Sequence, residues 1–208
     1  MYGKFITFEG SDGSGKSTQI ALLKKVLEDA AVPFKITREP GGTVISEEIR
    51  SIILDDKYKE MIWRTEALLY AASRAQLVGQ LIIPALEAGI HVLCDRYIDS
   101  TLAYQGYGRG LDIRDLTVLN DFAADNLEPD LTILLDIDPE ETLGRRSDRK
   151  ADRLEKEKPD FHKKVRQGYL KLAETEPDRF VIVSGNRDIM EIHHEIKRIV
   201  LPVLNGHK

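Results

Sequence analysis

A nine-residue stretch, GSDGSGKST at residues 10–18, combines three glycines with a lysine that two hydroxyl residues follow. Its spacing matches G-x-x-x-x-G-K-[ST], and it stands between a strand-like run and a helical pattern. Glycines let successive backbone N–H groups close around phosphate oxygens, and the N-terminus of the next helix attracts the same anion. Lys16 would reach the β- and γ-phosphates, and Ser17 would bind magnesium. The stretch predicts a phosphate-binding loop (P-loop) for a nucleoside triphosphate; a chance glycine-rich turn is the alternative.

The predicted triphosphate site takes in the whole stretch: Gly10, Ser11, Asp12, Gly13, Ser14, Gly15, Lys16, Ser17 and Thr18. Asp12 differs from its neighbours, because a carboxylate near phosphates is unfavourable unless it faces another group. The alternative is that Asp12 only stabilises the turn, as aspartates often do.

Two further charged positions follow apolar runs of strand type. Arg38 comes after FKIT, and Asp95 and Arg96 come after IHVLC. Ligands bind at the carboxyl ends of the strands in open α/β sheets, so all three side chains are expected at one edge. Asp95 could hold magnesium through water, and the guanidinium of Arg96 suits bidentate contact with phosphates. Structural ion pairs, Asp95 with Arg96 and Arg38 with Glu39, are the alternatives.

The residue after Asp95 also separates classes of P-loop protein. An arginine stands there instead of a glutamate, so the water-activating acid of a motor ATPase is missing. The guanine-reading motif N-K-x-D is absent, which weakens the GTPase interpretation.

Apolar runs of strand length alternate with helical patterns along the chain. The runs cover residues 4–8, 34–37, 90–94, 131–137 and 180–184, and the helical patterns cover 17–31, 44–54, 60–88 with a break near Pro84, 113–125, 139–149, 160–174 and 188–200. The glycine-rich segments at 40–42 and 106–110 are predicted turns. This alternation predicts a doubly wound α/β sheet.

Composition limits the remaining possibilities. The 208 residues are 42% hydrophobic, and a net charge of -5 gives no support for bulk attraction to nucleic acid. We find no signal peptide and no membrane-spanning stretch, which makes the cytoplasm the expected location. The single cysteine, Cys94, lies in an apolar run and is predicted to be a buried, inert thiol.

Five segments together resemble the thymidylate kinase family and occur in that family's order: FEGSDGSGKSTQ, TREPGGT, ALLYAASRAQ, DRYIDSTLAYQG and DRLE. The resemblance runs from about Lys4 to the last helix. It implies the three-layer α/β/α fold of P-loop nucleoside monophosphate kinases, with a five-stranded parallel sheet, flanking helices and an arginine-rich lid. The chain would form one kinase domain, residues 1–208, with the lid at about 143–155. The implied reaction is transfer of the ATP γ-phosphoryl group to dTMP, with Mg²⁺ as cofactor.

The resemblance also assigns residues to the acceptor dTMP. Asp12 accepts a hydrogen bond from the sugar 3′-OH, while Arg38 and Arg96 hold the phosphate. Tyr70 stacks on thymine, and Arg74, one helical turn later, hydrogen-bonds the base edge. Ser100 and Thr101 approach the base, Tyr104 packs where a ribose 2′-OH would lie, and Gln105 stands beside them. A core aromatic with a surface arginine is the alternative for Tyr70 and Arg74.

The implied lid carries four arginines, Arg145, Arg146, Arg149 and Arg153. The variable part of the P-loop has no basic residue, so the chain resembles the subtype that compensates with lid arginines. Arg149 is the leading candidate to join Lys16, Arg96 and Asp12 in catalysis. Because acidic residues are interleaved, a solvated helix of mixed charge is the alternative.

The expected partners are therefore ATP and dTMP, without nucleic acid or membrane. The resemblance implies a homodimer through helices, although core burial could explain the same apolar pattern. Two other functions remain open: a kinase for another pyrimidine monophosphate, and a nucleotide-dependent switch that has lost phosphoryl transfer.

Overall fold

The computed structural model describes residues 2–142 and 152–206. Five parallel strands form one sheet in the order β2-β3-β1-β4-β5. The strands are β1 Phe5–Glu9, β2 Phe34–Arg38, β3 His91–Asp95, β4 Leu131–Asp136 and β5 Phe180–Ser184. Each overlaps one of the five apolar runs, and the predicted parallel α/β sheet is confirmed.

Helices cover both faces of the sheet and make the three-layer arrangement. They are α1 Lys16–Asp29, α2 Val44–Leu54, α3 Trp63–Leu77, α4 Ile83–Glu87, α5 Ile98–Thr101, α6 Ile113–Ala124, α7 Pro139–Thr142, α8 Pro159–Thr175 and α9 Ile189–Leu204. On one face, α1 and α9 bury apolar side chains at helical spacing, such as Ile20, Leu23 and Leu27 of α1. On the other, α3 and α8 bury residues such as Leu77 and Tyr169.

Two helical segments differ from the sequence prediction. The predicted break near Pro84 takes the form of a π-helical segment, Val78–Ile82, through which α3 runs directly into α4. Pro84 is near the start of α4 and has no N–H to donate to the preceding turn. The predicted turn at 106–110 is also partly helical: α5 continues as a π-helical segment, Leu102–Gly108. Its glycines allow close packing, because a Cβ on Gly108 would lie 2.6 Å from Phe161 of α8.

The strand register brings the expected functional residues to one edge. Asp95 of β3 is in register with Phe8 of β1 and with Arg38 of β2. The P-loop leaves β1 one residue beyond Glu9, so the carboxyl ends of three neighbouring strands surround it. This is the edge at which open α/β sheets bind ligands.

In the part of the chain that the structure describes, no helix is long and apolar enough to span a bilayer. Cys94 is buried in β3, where burial raises the pKa of its thiol well above the ordinary value. This agrees with the expected inert thiol.

Candidate active site

Backbone geometry explains the glycines of the P-loop. Gly10 has φ 133° and Gly15, which precedes α1, has φ 97°, and both values lie in a region that disfavours other residues. A Cβ on Gly10 would also lie 2.4 Å from the carbonyl oxygen of Leu135. The first glycine therefore lets the loop pass close to β4, and the second turns the chain into α1.

Lys16 lies inside the loop with its ammonium group at the loop carbonyls. Its Nζ donates to the carbonyl oxygens of Gly10 at 2.9 Å and Ser11 at 3.1 Å. Burial and then the charge of Arg96 lower the pKa of Lys16, while Asp95, Asp12 and Glu9 oppose the shift. The ammonium thus stands in a partly desolvated position, where its field on a bound anion is strong.

A cavity of about 610 Å³ opens over the P-loop, a size typical of small-molecule sites. Six of the predicted triphosphate-binding residues line it, namely Asp12, Gly13, Gly15, Lys16, Ser17 and Thr18. The other three, Gly10, Ser11 and Ser14, lie behind its wall and are buried. Arg38, Asp95 and Arg96 also line it, so the strand-end prediction and the P-loop prediction meet in one cavity.

Ser17 and Asp95 offer adjacent oxygen ligands at this cavity. The Ser17 hydroxyl donates to Oδ2 of Asp95 at 3.0 Å. Among residues 2–142 and 152–206 there is no group of three or more His, Cys, Asp or Glu side chains that could hold a metal. The pair suits a magnesium ion that takes its remaining ligands from phosphates and water, as protein-bound Mg²⁺ usually does.

Arg96 lies at the centre of the site in an unusual backbone conformation, with φ 71°. Its guanidinium donates to Asp12 Oδ1 at 2.8 Å and to the hydroxyl groups of Tyr104 and Tyr169, each at 3.1 Å. A non-glycine residue in this region costs on the order of 1–3 kcal/mol, and such strain concentrates at functional sites. The alternative considered for these residues, an ion pair between Asp95 and Arg96, does not form, and Arg96 pairs with Asp12.

Asp12 is ionised in this arrangement. Burial alone would raise the pKa of its carboxyl, but Arg96 and Lys16, with hydrogen bonds from Arg96 and Tyr104, lower it well below the usual range. The second carboxylate oxygen accepts from Tyr104 at 3.0 Å. Asp12 therefore links the P-loop to Arg96 and Tyr104.

A second, smaller cavity of about 80 Å³ adjoins the first. Tyr70, Ser100, Tyr104 and Gln105 line it, as expected for acceptor residues. The two cavities share four lining residues: Asp12, Glu39, Arg50 and Arg96. The structure thus provides two connected compartments with Arg96 between them.

Arg74 and Thr101 do not line either cavity. The Arg74 side chain is 1% exposed and forms an ion pair with Glu39 at 2.6 Å. It also donates to Asn120 Oδ1 at 2.6 Å, to the Tyr97 carbonyl oxygen at 3.0 Å and to Thr101 Oγ1 at 3.1 Å. The structure therefore places Arg74 in a buried network behind the pocket, and the surface position considered as its alternative is wrong.

The alternative considered for Arg38, an ion pair with Glu39, does not form. The NH2 group of Arg38 donates to Glu47 Oε2 at 2.8 Å, whereas neighbouring Glu39 points inward to Arg74. Arg38 remains about half exposed at the cavity wall, so its guanidinium is accessible to an anion.

Three of the four lid arginines, Arg145, Arg146 and Arg149, lie outside the described residues. Arg153 lies within them and is largely buried. Its guanidinium pairs with Glu66 of α3 at 2.5 Å and donates to the carbonyl oxygen of Ile53 at 3.1 Å. Arg153 therefore anchors the C-terminal end of the predicted lid segment to α2 and α3, a contact that interleaved charges in the sequence do not predict.

Sequence reasoning missed two residues of the site. Arg50 of α2 lines both cavities and donates to the Pro40 carbonyl oxygen at 2.7 Å. The sequence does contain a signal for Arg50: it follows Glu47 by three residues, so the two side chains lie on the same face of the predicted helix. The other is Glu9, fully buried beneath Arg96, which only its place at the end of β1 could have indicated.

The first strand of the parallel sheet leads into a glycine-rich loop with a buried lysine, and a second polar compartment lies beside this loop. Together these features define a P-loop protein with the fold of nucleoside monophosphate kinases. A family model described as thymidylate kinase matches residues 8–196. The chain therefore belongs to the thymidylate kinase family, and the resemblance seen in its motifs is confirmed.

Relatives of similar length support this assignment. A thymidylate kinase of Thermoanaerobacter sp. (strain X514) is 50% identical over 200 residues, which is 96% of this chain and 98% of that protein. One of Caldanaerobacter subterraneus subsp. tengcongensis is 47% identical over the full length of both. The crystal structure of thymidylate kinase from Ehrlichia chaffeensis superposes with a TM-score of 0.77 at 33% identity, covering 96% of this chain and 99% of that chain.

Proposed function

We propose that this chain transfers the γ-phosphoryl group of ATP to dTMP, giving dTDP and ADP. The observation that carries the proposal is the pair of connected cavities with Arg96 between them. The larger cavity, above the P-loop, receives the triphosphate, and the smaller receives the nucleoside of the acceptor. The acceptor phosphate then lies at the junction, within reach of cations from both sides.

The protein's contribution to this reaction is positioning and charge neutralisation. Lys16 and the N-terminus of α1 hold the donor phosphates, while Arg96 contacts the group in transfer. The acceptor phosphate has a second pKa near 6, so it is anionic near neutral pH and needs no general base. Lys16 and Arg96 therefore act by binding and orienting phosphate oxygens.

The acceptor compartment recognises its ligand with polar, charged and aromatic groups, and Pro40, Leu54 and Leu154 add apolar contacts. Tyr70 supplies a flat ring, and burial raises the pKa of its phenol so that it stays protonated. Arg38 and Arg50 supply positive charge for the acceptor phosphate. Tyr104, held by Asp12 and Arg96, fills space beside the sugar and favours deoxyribose.

Ser17 and Asp95 are the residues that would hold Mg²⁺, because their oxygens lie 3.0 Å apart at the cavity wall. When bound, the ion would neutralise charge on the donor phosphates. Of the lid arginines, Arg149 is our candidate for insertion at the transferring group, and Arg153 serves as the anchor of the lid. We further propose that residues 1–208 form one kinase domain and that the protein is cytoplasmic.

A panel of acceptors tests the function against its alternatives. We expect dTDP formation from ATP and dTMP in the presence of Mg²⁺, with dUMP, UMP, CMP and AMP phosphorylated at least about tenfold more slowly, because the pocket discriminates by contacts with base and sugar. A coupled assay of ADP release measures the rate with each acceptor, and chromatography identifies the phosphorylated product. Preference for dUMP or equal use of pyrimidines would indicate another monophosphate kinase. ATP binding without transfer to any acceptor would indicate a switch.

We also propose a homodimer formed through α3 and α6. These helices pack against each other and present exposed apolar side chains, including Leu68 of α3. On α6, Val118 is 69% exposed and Phe122 is 86% exposed, and their i, i+4 spacing places them on one face. Apolar patches of this kind mark protein–protein contacts.

Replacing Phe122 with glutamate tests this interface. Burying an unpaired charge at the centre of an apolar interface costs more free energy than the interface contributes. We therefore expect the mass measured by sedimentation to fall from that of a dimer to that of a monomer. Met190→Glu on α9 is the matched control, because Met190 is also exposed and lies on the opposite face of the sheet. A Phe122→Glu protein that sediments like the wild type would show that this face is not the interface.

A further inference from the structure

Glu9 ends β1 immediately before the P-loop, and its side chain is fully buried. One carboxylate oxygen, Oε1, accepts from the backbone N–H of Tyr97 at 2.7 Å. The other, Oε2, accepts from the Ser100 hydroxyl at 2.6 Å and from the Tyr169 hydroxyl at 2.8 Å. These three donors are neutral, and the nearby charge of Arg96 also favours the ionised carboxylate. Burying a carboxylate remains costly, so its position needs a compensating use.

The first use concerns the backbone of Arg96. The N–H of Arg96 donates to the Phe8 carbonyl oxygen at 2.9 Å, and the next N–H, of Tyr97, donates to Glu9. Two consecutive residues of β1 thus hold the two N–H groups that flank the left-handed turn at Arg96. Surroundings that fix such a strained residue are what allow it to persist.

The second use concerns the Arg96 side chain. Its NH1 donates to Ser100 Oγ at 3.3 Å and to the Tyr169 hydroxyl at 3.1 Å. Each hydroxyl has one hydrogen, and the two hydroxyl oxygens also lie 2.7 Å apart. Either both hydrogens point to the Glu9 carboxylate or one of them joins the two hydroxyls, and in both arrangements lone pairs remain for the guanidinium. Burial and the charge of Glu9 raise the pKa of Tyr169, which keeps its phenol protonated.

We propose that Glu9 is a positioning residue for phosphoryl transfer: through the Tyr97 N–H, Ser100 and Tyr169 it fixes both the backbone and the guanidinium of Arg96. Glu9 lines neither cavity and acts only through Arg96. Tyr169 of α8 is the second positioning residue, because it contacts both Glu9 and Arg96. The inference rests on the proposed function, because Arg96 is the group that contacts the transferring phosphates.

Glu9→Gln is the direct test, since glutamine has the same size. The carbonyl oxygen of the glutamine can still accept from the Tyr97 N–H. Its NH2 group, however, donates to the Ser100 and Tyr169 hydroxyls, which donated to the carboxylate in the wild type. The hydrogens of these hydroxyls then point toward Arg96, where lone pairs are needed. We expect kcat with dTMP to fall about 10²-fold, as for a catalytic group misplaced by about 1 Å. The KM values for ATP and dTMP should stay within about threefold of wild type, because uniform binding is retained.

Stability separates this role from a merely structural one. Burial and then Asp99 raise the pKa of Glu9 to about 7, against the pull of Arg96 and of its hydroxyl donors. The folded protein then binds a proton that the unfolded chain has released, so wild-type stability falls as pH rises between about 4.5 and 7. Asp99 on α5, Arg96, Lys16 and Tyr169 on α8 are the charged and titratable groups that face it. Glu9→Gln removes this loss, and its Tm relative to wild type should rise over that range.

Tyr169→Phe and a double variant complete the test. Tyr169→Phe should lower kcat about tenfold, the effect of one hydrogen bond. Because the two residues act on the same guanidinium, Glu9→Gln/Tyr169→Phe should be about as slow as Glu9→Gln alone. Thr7→Val is the matched control: Thr7 is buried on β1 and hydrogen-bonds Thr132 at 2.8 Å, away from Arg96, and its kcat should stay at the wild-type value.

Each outcome has one meaning. Wild-type kcat in Glu9→Gln, an equal loss in Thr7→Val, or fully multiplicative effects in the double variant would overturn the positioning role. A wild-type protein that fails to phosphorylate dTMP would instead overturn the proposed function, and that reaction is measured first.

Discussion

Lys16→Ala should lower kcat for dTMP phosphorylation on the order of 10³-fold, because it removes a cation aimed at charge that develops in transfer. The expected loss is large because the ammonium is almost fully buried at the P-loop and lines the larger cavity. Its field on a phosphate is therefore weakly screened. Initial rates of ADP release at saturating ATP and dTMP measure the effect.

The variant should remain folded. Burial already opposes the charge of Lys16, as its lowered pKa shows, so alanine relieves a desolvation cost while freeing only two loop carbonyl groups. Lys24→Ala is the matched control, because Lys24 is on the same helix, exposed and paired with Glu28. If Lys16→Ala keeps a kcat within about tenfold of the wild type, the role assigned to this cation is wrong.

Local patterns in the sequence predict the scaffold of this site. The β1 run and the P-loop spacing depend on neighbours a few residues apart, so both could be located before any tertiary contact was known. The strand ends at Arg38 and Asp95 followed from the same reasoning, because parallel strands bring their carboxyl ends to one edge. The scaffold therefore needed no information beyond periodicity and motif.

The partners of buried charges could not be predicted in this way. Arg96 was expected to contact phosphates, with an ion pair to neighbouring Asp95 as the alternative, and neither points to Asp12, its partner 84 residues away. Glu9 and Tyr169 are 160 residues apart and meet because α8 packs against the π-helical segment Leu102–Gly108 and the sheet. Such contacts depend on how helices pack on the sheet, which periodicity does not determine. Arg74, which pairs with Glu39 35 residues away, is the case with the largest consequence.

Arg74→Ala should lower the free energy of unfolding by about 3–5 kcal/mol, since it leaves the Glu39 carboxylate buried without its cation. Glu39 is 4% exposed, and burial raises the pKa of its carboxyl even with Arg74 in place. For a chain of this length the loss corresponds to a Tm lower by roughly 10 °C. Thermal unfolding followed by circular dichroism measures it, with Arg64→Ala, an exposed arginine of the same helix, as control.

The pH dependence of that loss identifies its cause. A carboxyl whose pKa in the folded protein is raised destabilises the fold at high pH and is relieved as pH falls and it takes up a proton. The Tm difference between Arg74→Ala and wild type should therefore be smaller at about pH 5 than at about pH 8, and Glu39→Gln/Arg74→Met should recover much of the loss at both. If Arg74→Ala instead kept wild-type stability and lost only its affinity for dTMP, Arg74 would be a base-recognition residue and its buried ion pair would contribute little to the fold.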